Sequence, residues 1–232
     1  MAIWDLLESF ASGIMSGGQR LIDAVYGMMS SGGSARRQVA FTVAMIALTA
    51  KMAKADGVVT EDEISAFSEL FDIPAGEEKN VARLFNLAKQ DVSGYEYYAR
   101  RIAGMFADEP QALEDILDGL FHIAKADHVL HEGELAYLKR VSELFGFDAH
   151  HFGCIKARHV HPEASDPYII LDIDRSASEE ELRRHYRRLV NETHPDRLIA
   201  RGVPEEFVTI ANDRLAAVND AWTRIRQERG IR

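Results

Sequence analysis

The chain repeats part of itself. Residues 53–64, Ala-Lys-Ala-Asp-Gly-Val-Val-Thr-Glu-Asp-Glu-Ile, return 71 positions later as Ala-Lys-Ala-Asp-His-Val-Leu-His-Glu-Gly-Glu-Leu over 124–135. Each copy follows one apolar helical stretch and precedes another. Ser68-Glu69-Leu70-Phe71 and Ser142-Glu143-Leu144-Phe145 close the two second stretches. Two related helix–turn–helix units imply a bundle with an internal pseudo-twofold. From Ala35 to about Phe152 the apolar spacing is helical, and no sustained alternation of the kind a strand needs is present. The expected fold class is therefore all-α, a helical bundle followed by a small helical hairpin.

The repeated turn has a local cause. Thr60 followed by Glu63 is a capping box: the hydroxyl accepts a free backbone N–H and the carboxylate reaches back. Glu61, Asp62 and Glu63 also complement the start of the helix dipole. If the two copies pack face to face, Asp56, Glu61 and Glu63 could converge with Asp127, Glu132 and Glu134, and such hard oxygens suit calcium or magnesium. An EF-hand is excluded, because Val58 and Thr60 stand where alternating acids are needed. The reading adopted for these acids is capping and solvation, with cation binding as the alternative.

Composition narrows the function classes. Of 232 residues, 47% are hydrophobic and 28% charged, as in a globular protein. The net charge of -10 argues against a general nucleic-acid binder, which needs clustered positive charge. One cysteine, Cys154, permits no intrachain disulfide and no four-thiolate zinc site. The most apolar run, residues 39–50, lies between Arg36-Arg37 and Lys51 and is too short to span a bilayer, so it reads as a buried core helix. With no secretory signal visible, the expected location is the cytoplasm, or the inner face of the membrane. Residues 1–34 carry Ile3, Leu7, Phe10 and Ile14 on one helical side and end in Ser30-Ser31-Gly32-Gly33-Ser34. They read as an extra helix packed on the core, with membrane-surface contact as the alternative.

The C-terminal 67 residues, 166–232, differ in character. They hold 12 basic and 13 acidic residues, and every base is arginine. Asp166-Pro167-Tyr168 opens a short helix. Ser178 and Glu181 form another capping box, and the helix after it runs to about Glu192. Leu182, Tyr186, Leu189 and Val190 cover one face; Arg183, Arg184, Arg187 and Arg188 cover another. Thr193-His194-Pro195-Asp196-Arg197 follows, and proline ends the helix. A long helix over about 204–228 carries Phe207, Ala211, Leu215, Val218, Trp222 and Ile225 as a stripe that can pack antiparallel on the first.

This arrangement of Tyr186-Arg187-Arg188-Leu189, His194-Pro195-Asp196 and Ala221-Trp222 resembles the J domain of DnaJ-type co-chaperones, over residues 166–232. The loop from His194 to Pro204 resembles that of the DjlA-like subfamily. The doubled Lys-Ala-Asp with its acidic helix start is similar to the tellurite-resistance TerB-like domain that precedes the J domain there. The organisation that follows is an N-terminal segment and linker (1–34), a TerB-like domain (35–152), a connector (153–165) and a J domain (166–232). The resemblance implies stimulation of ATP hydrolysis by a DnaK-type chaperone of the seventy-kilodalton heat-shock family, in protein folding and stress response, with client proteins beyond it. It implies that His194, Pro195 and Asp196 engage the ATPase, with Arg183, Arg184, Arg187, Arg188, Tyr186 and Arg197 beside them. Proteins of that subfamily carry an N-terminal transmembrane anchor, where this chain has the glycine-broken stretch 1–34. The alternative is a metal- or membrane-stress-responsive TerB-like module with the J domain as its output.

No catalysis or cofactor is expected. No phosphate-binding glycine loop is present, and His194 with Asp196 lacks a nucleophile and an orienting third group. His150, His151, Cys154, His159 and His161 offer zinc-type donors, but their spacing matches no zinc pattern, and they read as part of a polar, partly helical linker.

Overall fold

A computed structural model describes residues 21–29, 34–56, 73, 78–91, 94–126, 130–200, 203–204 and 207–231. Among these residues there are eleven helices and no strand, so the chain is all-α. In chain order they are α1 (Leu21–Met29), α2 (Ser34–Asp56), α3 (Glu78–Gln90), α4 (Tyr95–Met105), α5 (Pro110–Ala124), α6 (Glu132–Leu144), α7 (Ala149–His159), α8 (Pro167–Ile170), α9 (Glu179–Thr193), α10 (Pro195–Ala200) and α11 (Val208–Arg229).

Helix α2 is the axis of the bundle. Its side chains over 39–52 are all buried, as expected for a helix apolar on every side. Helices α1, α3, α4, α5 and α6 pack around it. The polar side chains of Thr42 and Lys51 on it are answered locally. The Lys51 ammonium donates to the Asp91 carbonyl at 2.8 Å and lies 4.7 Å over the Tyr98 ring. The Tyr137 hydroxyl donates to the Leu48 carbonyl at 2.8 Å. In α1, Leu21, Ile22 and Val25 are buried in this core, and the earlier part of the 1–34 segment lies outside the described residues.

Of the repeated turn, 57–72 and 127–129 lie outside the described residues, and with them Glu61, Glu63 and Asp127. In the second copy the capping logic is visible: Glu134 accepts from the His131 backbone N–H at 2.8 Å, at the position that matches Glu63. Glu132 is exposed, two residues before the buried Glu134.

Residues 153–159, part of the expected connector, are instead the second half of α7. Asp148 caps its start by accepting from the His151 N–H at 2.8 Å, Phe152 and Ile155 enter the core, and Lys156 and Arg158 complement the C-terminal dipole.

A second, smaller core gathers Tyr168, Ile170 and Leu171 from α8 and its end, Leu182 from α9, and Val218, Ala221, Trp222 and Ile225 from α11. The anticipated antiparallel pairing of α9 with α11 is present, with Tyr186 stacked on Trp222 at 4.8 Å. Helix α11 does not serve this core alone. Ile210 and Ala211, together with Leu198, Val203 and Phe207 just before them, belong to the bundle core. Phe207 meets Phe41 of α2 edge-on at 4.8 Å. It reaches that depth because α5 has Gly119 there: a Cβ would stand 2.8 Å from both the Phe207 ring and the Met45 methyl.

Gly119→Ala therefore sets about 1 kcal/mol of helix propensity against about 2 kcal/mol of overpacking. The expected result is a net loss of about 1 kcal/mol in urea unfolding. A stabilised variant would show that the Phe207 contact is loose.

Candidate partner-docking site

The exposed loop is built by two helix ends. Ser178 starts α9 with the expected capping box, accepting from the Glu181 N–H at 3.3 Å while Glu181 accepts from the Ser178 N–H at 2.8 Å. The helix stops at Thr193, whose side chain is buried, and His194 takes up extended backbone (φ -59°, ψ 133°). Pro195 then opens α10 at its first position, where its missing N–H costs nothing. The sequence marked the stop at proline but not the short helix that proline begins. Leu198, one turn on, is buried in the bundle core and anchors the loop.

His194 and Asp196 face solvent, with side chains 53% and 87% exposed. The Asp196 backbone N–H donates to His194 Nδ1 at 3.2 Å, which ties the imidazole to the loop. An exposed carboxylate on a proline-fixed turn can accept charge-assisted hydrogen bonds from a guanidinium with little loop entropy to lose.

Arg183, Arg184, Arg187 and Arg188 share one face of α9, at helical steps of one and four. Arg183 pairs with Glu179 at 2.7 Å and Arg188 with Glu192 at 2.9 Å, both partly exposed. Arg187 donates to the Arg183 carbonyl at 3.1 Å. Arg197 is exposed on α10. Tyr186 points the other way: besides stacking on Trp222, its hydroxyl donates to Asn219 at 2.9 Å, so it holds α9 in place. Other C-terminal arginines brace the unit. Arg224 donates to the Pro162 and Ser165 carbonyls at 2.9 and 2.7 Å, Arg229 to the Tyr168 hydroxyl at 2.8 Å, and Arg175 pairs with Asp166 and Glu228.

A buried ion cluster, which the sequence reading did not anticipate, holds this unit against the bundle. Glu114, Asp115 and Asp118 are buried on α5. From α7, Arg158 reaches Glu114 at 2.6 Å and Asp118 at 3.4 Å, and His159 meets Asp118 at 2.7 Å. From α11, Arg214 reaches Glu114 at 2.7 Å, Asp118 at 3.3 Å and Asp115 at 3.5 Å. His151 lies 3.4 Å from Glu114. Burial works against ionisation of both Glu114 and Asp118, yet the two guanidiniums outweigh it: Glu114 is held well below its usual range and Asp118 at about 2. Burial pushes His159 down, so it donates as a neutral ring, whereas its contact with Glu114 pushes His151 up. Burial, with Asp172 beside it, pushes the Cys154 thiol up to about 12, which removes it as a nucleophile at neutral pH.

Comparison with known proteins agrees with this two-part architecture. The family model for tellurite resistance protein TerB matches residues 42–157, and that for the DnaJ domain matches 166–222. The co-chaperone protein DjlA of Photobacterium profundum is 28% identical over 225 residues, covering 86% of this chain and 81% of its own. The chain belongs to the TerB family, with a DnaJ domain behind the TerB domain. Similar too are the co-chaperone proteins DjlA of Vibrio vulnificus, 27% identical over 85% of this chain and 81% of their own, and of Aliivibrio fischeri, 25% identical over 92% and 88%. No solved structure matches the chain significantly. Among the described residues, no helix is long and apolar enough to cross a membrane.

Removing one partner of the cluster leaves buried charge uncompensated. Arg214→Met is expected to cost about 3 kcal/mol at pH 7 by denaturant unfolding. Because Asp118 has a folded-state value below its unfolded one, its stabilisation is complete above about pH 4 and is lost as the pH falls towards 2. Arg214→Met should therefore unfold at a higher pH than the parent chain in an acid titration followed by circular dichroism.

Proposed function

We propose that this chain stimulates ATP hydrolysis by a DnaK-type chaperone through its J domain and performs no chemistry itself. The observation that carries this reading is the solvent-facing His194-Pro195-Asp196 loop beside an arginine face. Asp196 offers its carboxylate to a partner arginine, Pro195 keeps the turn rigid, and His194 orients it. Arg183, Arg184, Arg187, Arg188 and Arg197 steer an acidic surface onto the loop and raise the association rate. The chain binds one state of a two-state ATPase better than the other and so shifts its cycle. In this reading the TerB-like bundle sets the direction in which the loop faces and recruits or regulates, and the work takes place in the cytoplasm, where client proteins are handed to the chaperone.

Single-turnover ATP hydrolysis by a DnaK-type chaperone should accelerate on adding the chain, and His194→Gln should abolish the effect. Equal stimulation by variant and parent would remove this reading. Arg187→Glu with Arg188→Glu should slow association about tenfold at low salt and flatten its salt dependence. An unchanged salt dependence would take the arginine face out of the docking surface.

A further inference from the structure

Five potential zinc donors crowd residues 150–161, and the fold sorts them. His151 and His159 turn towards Glu114 and Asp118, and His161 lies in solvent beside Glu163. His150 and Cys154 remain, one helical turn apart on the same face of α7. A third donor, far away in sequence, joins them. Asp172 ends the turn after α8 in a left-handed conformation (φ 53°), which aspartate tolerates better than most residues. His150 Nε2 is 2.8 Å from Asp172 Oδ1 and 3.8 Å from Cys154 Sγ. All three donor atoms lie within 4.8 Å of one another.

We propose that His150, Cys154 and Asp172 form a site for a single borderline divalent transition-metal ion, of which Zn²⁺ is the best fit. Around a tetrahedral zinc ion, nitrogen, sulfur and oxygen ligands sit roughly 3.4–3.6 Å apart. The sulfur–nitrogen pair is already near that spacing. The imidazole and the carboxylate need to part by only about half an ångström, and the His150 side chain, 71% exposed, is free to move. The donor set itself selects the ion. Calcium and magnesium require oxygen throughout, whereas one thiolate, one imidazole and one carboxylate suit zinc and its neighbours. Two negative ligands neutralise the dication, and coordination drives the thiol proton into the buffer. Three protein ligands leave a fourth position for water.

The consequence is mechanical. His150 and Cys154 ride on a helix whose Phe152 and Ile155 lie in the bundle core, and Asp172 follows Leu171 of the second core. A bound ion would join the two units at a point apart from the Glu114–Arg214 cluster. This inference stands independently of the chaperone reading.

The test uses the full chain, reduced and freed of metal. Zn²⁺ alone is titrated by calorimetry in two buffers of different ionisation enthalpy, and Co²⁺ by absorbance. One ion per chain is expected, with a proton released and a thiolate-to-cobalt charge-transfer band. Cys154→Ser should abolish the band. His150→Ala and Asp172→Asn should each weaken binding at least about tenfold, while His161→Ala leaves it unchanged. Because His150 is on the surface, its variant keeps the fold, and circular dichroism verifies this. Zn²⁺ should raise the melting temperature of the parent chain but not of His150→Ala. Absence of the band, or equal affinity in parent and His150→Ala, overturns the site.

Discussion

Two carboxylates buried on one helix, Glu114 and Asp118, stay ionised only because positive charge is brought to them. They set the condition that the rest of the molecule meets. Helix α7 answers with Arg158 and a neutral His159, and α11 answers with Arg214. Desolvation cancels much of the Coulombic gain of such a cluster. Its main effect is on choice of arrangement: a shift of α11 by one residue would carry Arg214 away from Glu114 and Asp118. The apolar contacts are consistent with the same register, since Phe207 enters the bundle where Gly119 leaves room for its ring.

That register reaches the exposed loop. Leu198 is seated in the bundle core, and His194, Pro195 and Asp196 lie two to four residues before it. On the other side, α9 is held by Tyr186 against Trp222 and Asn219. The loop thus hangs between two fixed supports. The surface arginines Arg183 and Arg188 pair with carboxylates of their own helix, Glu179 and Glu192.

Much of this was legible in the sequence, and the reasons are local. The run over 39–50 announced a helix buried on all sides, Ser178 and Glu181 announced the start of α9, and the stripe from Phe207 to Ile225 announced α11. What escaped notice depended on distance along the chain. Glu114, Asp115 and Asp118 look like an ordinary solvated face until Arg158 and Arg214 are seen beside them, about 40 and 100 residues away. Arginine-rich composition did not separate docking groups from braces such as Arg224 and Arg229, because that distinction lies in which carbonyl each one meets. His150 and Cys154 had the spacing of a ligand pair, but their third member, Asp172, was 22 residues from His150. The turn at Pro195 was read as an ending, whereas the same fixed φ also begins a helix.

Helix α11 lies half in one core and half in the other. The surface turn at 161–164 connects the two units covalently, yet most of what unites them does not pass through it. A protease nicking the chain there would release nothing: the fragments would stay clasped through Phe207, Ile210 and Arg214 and migrate as one particle until denaturant parted them.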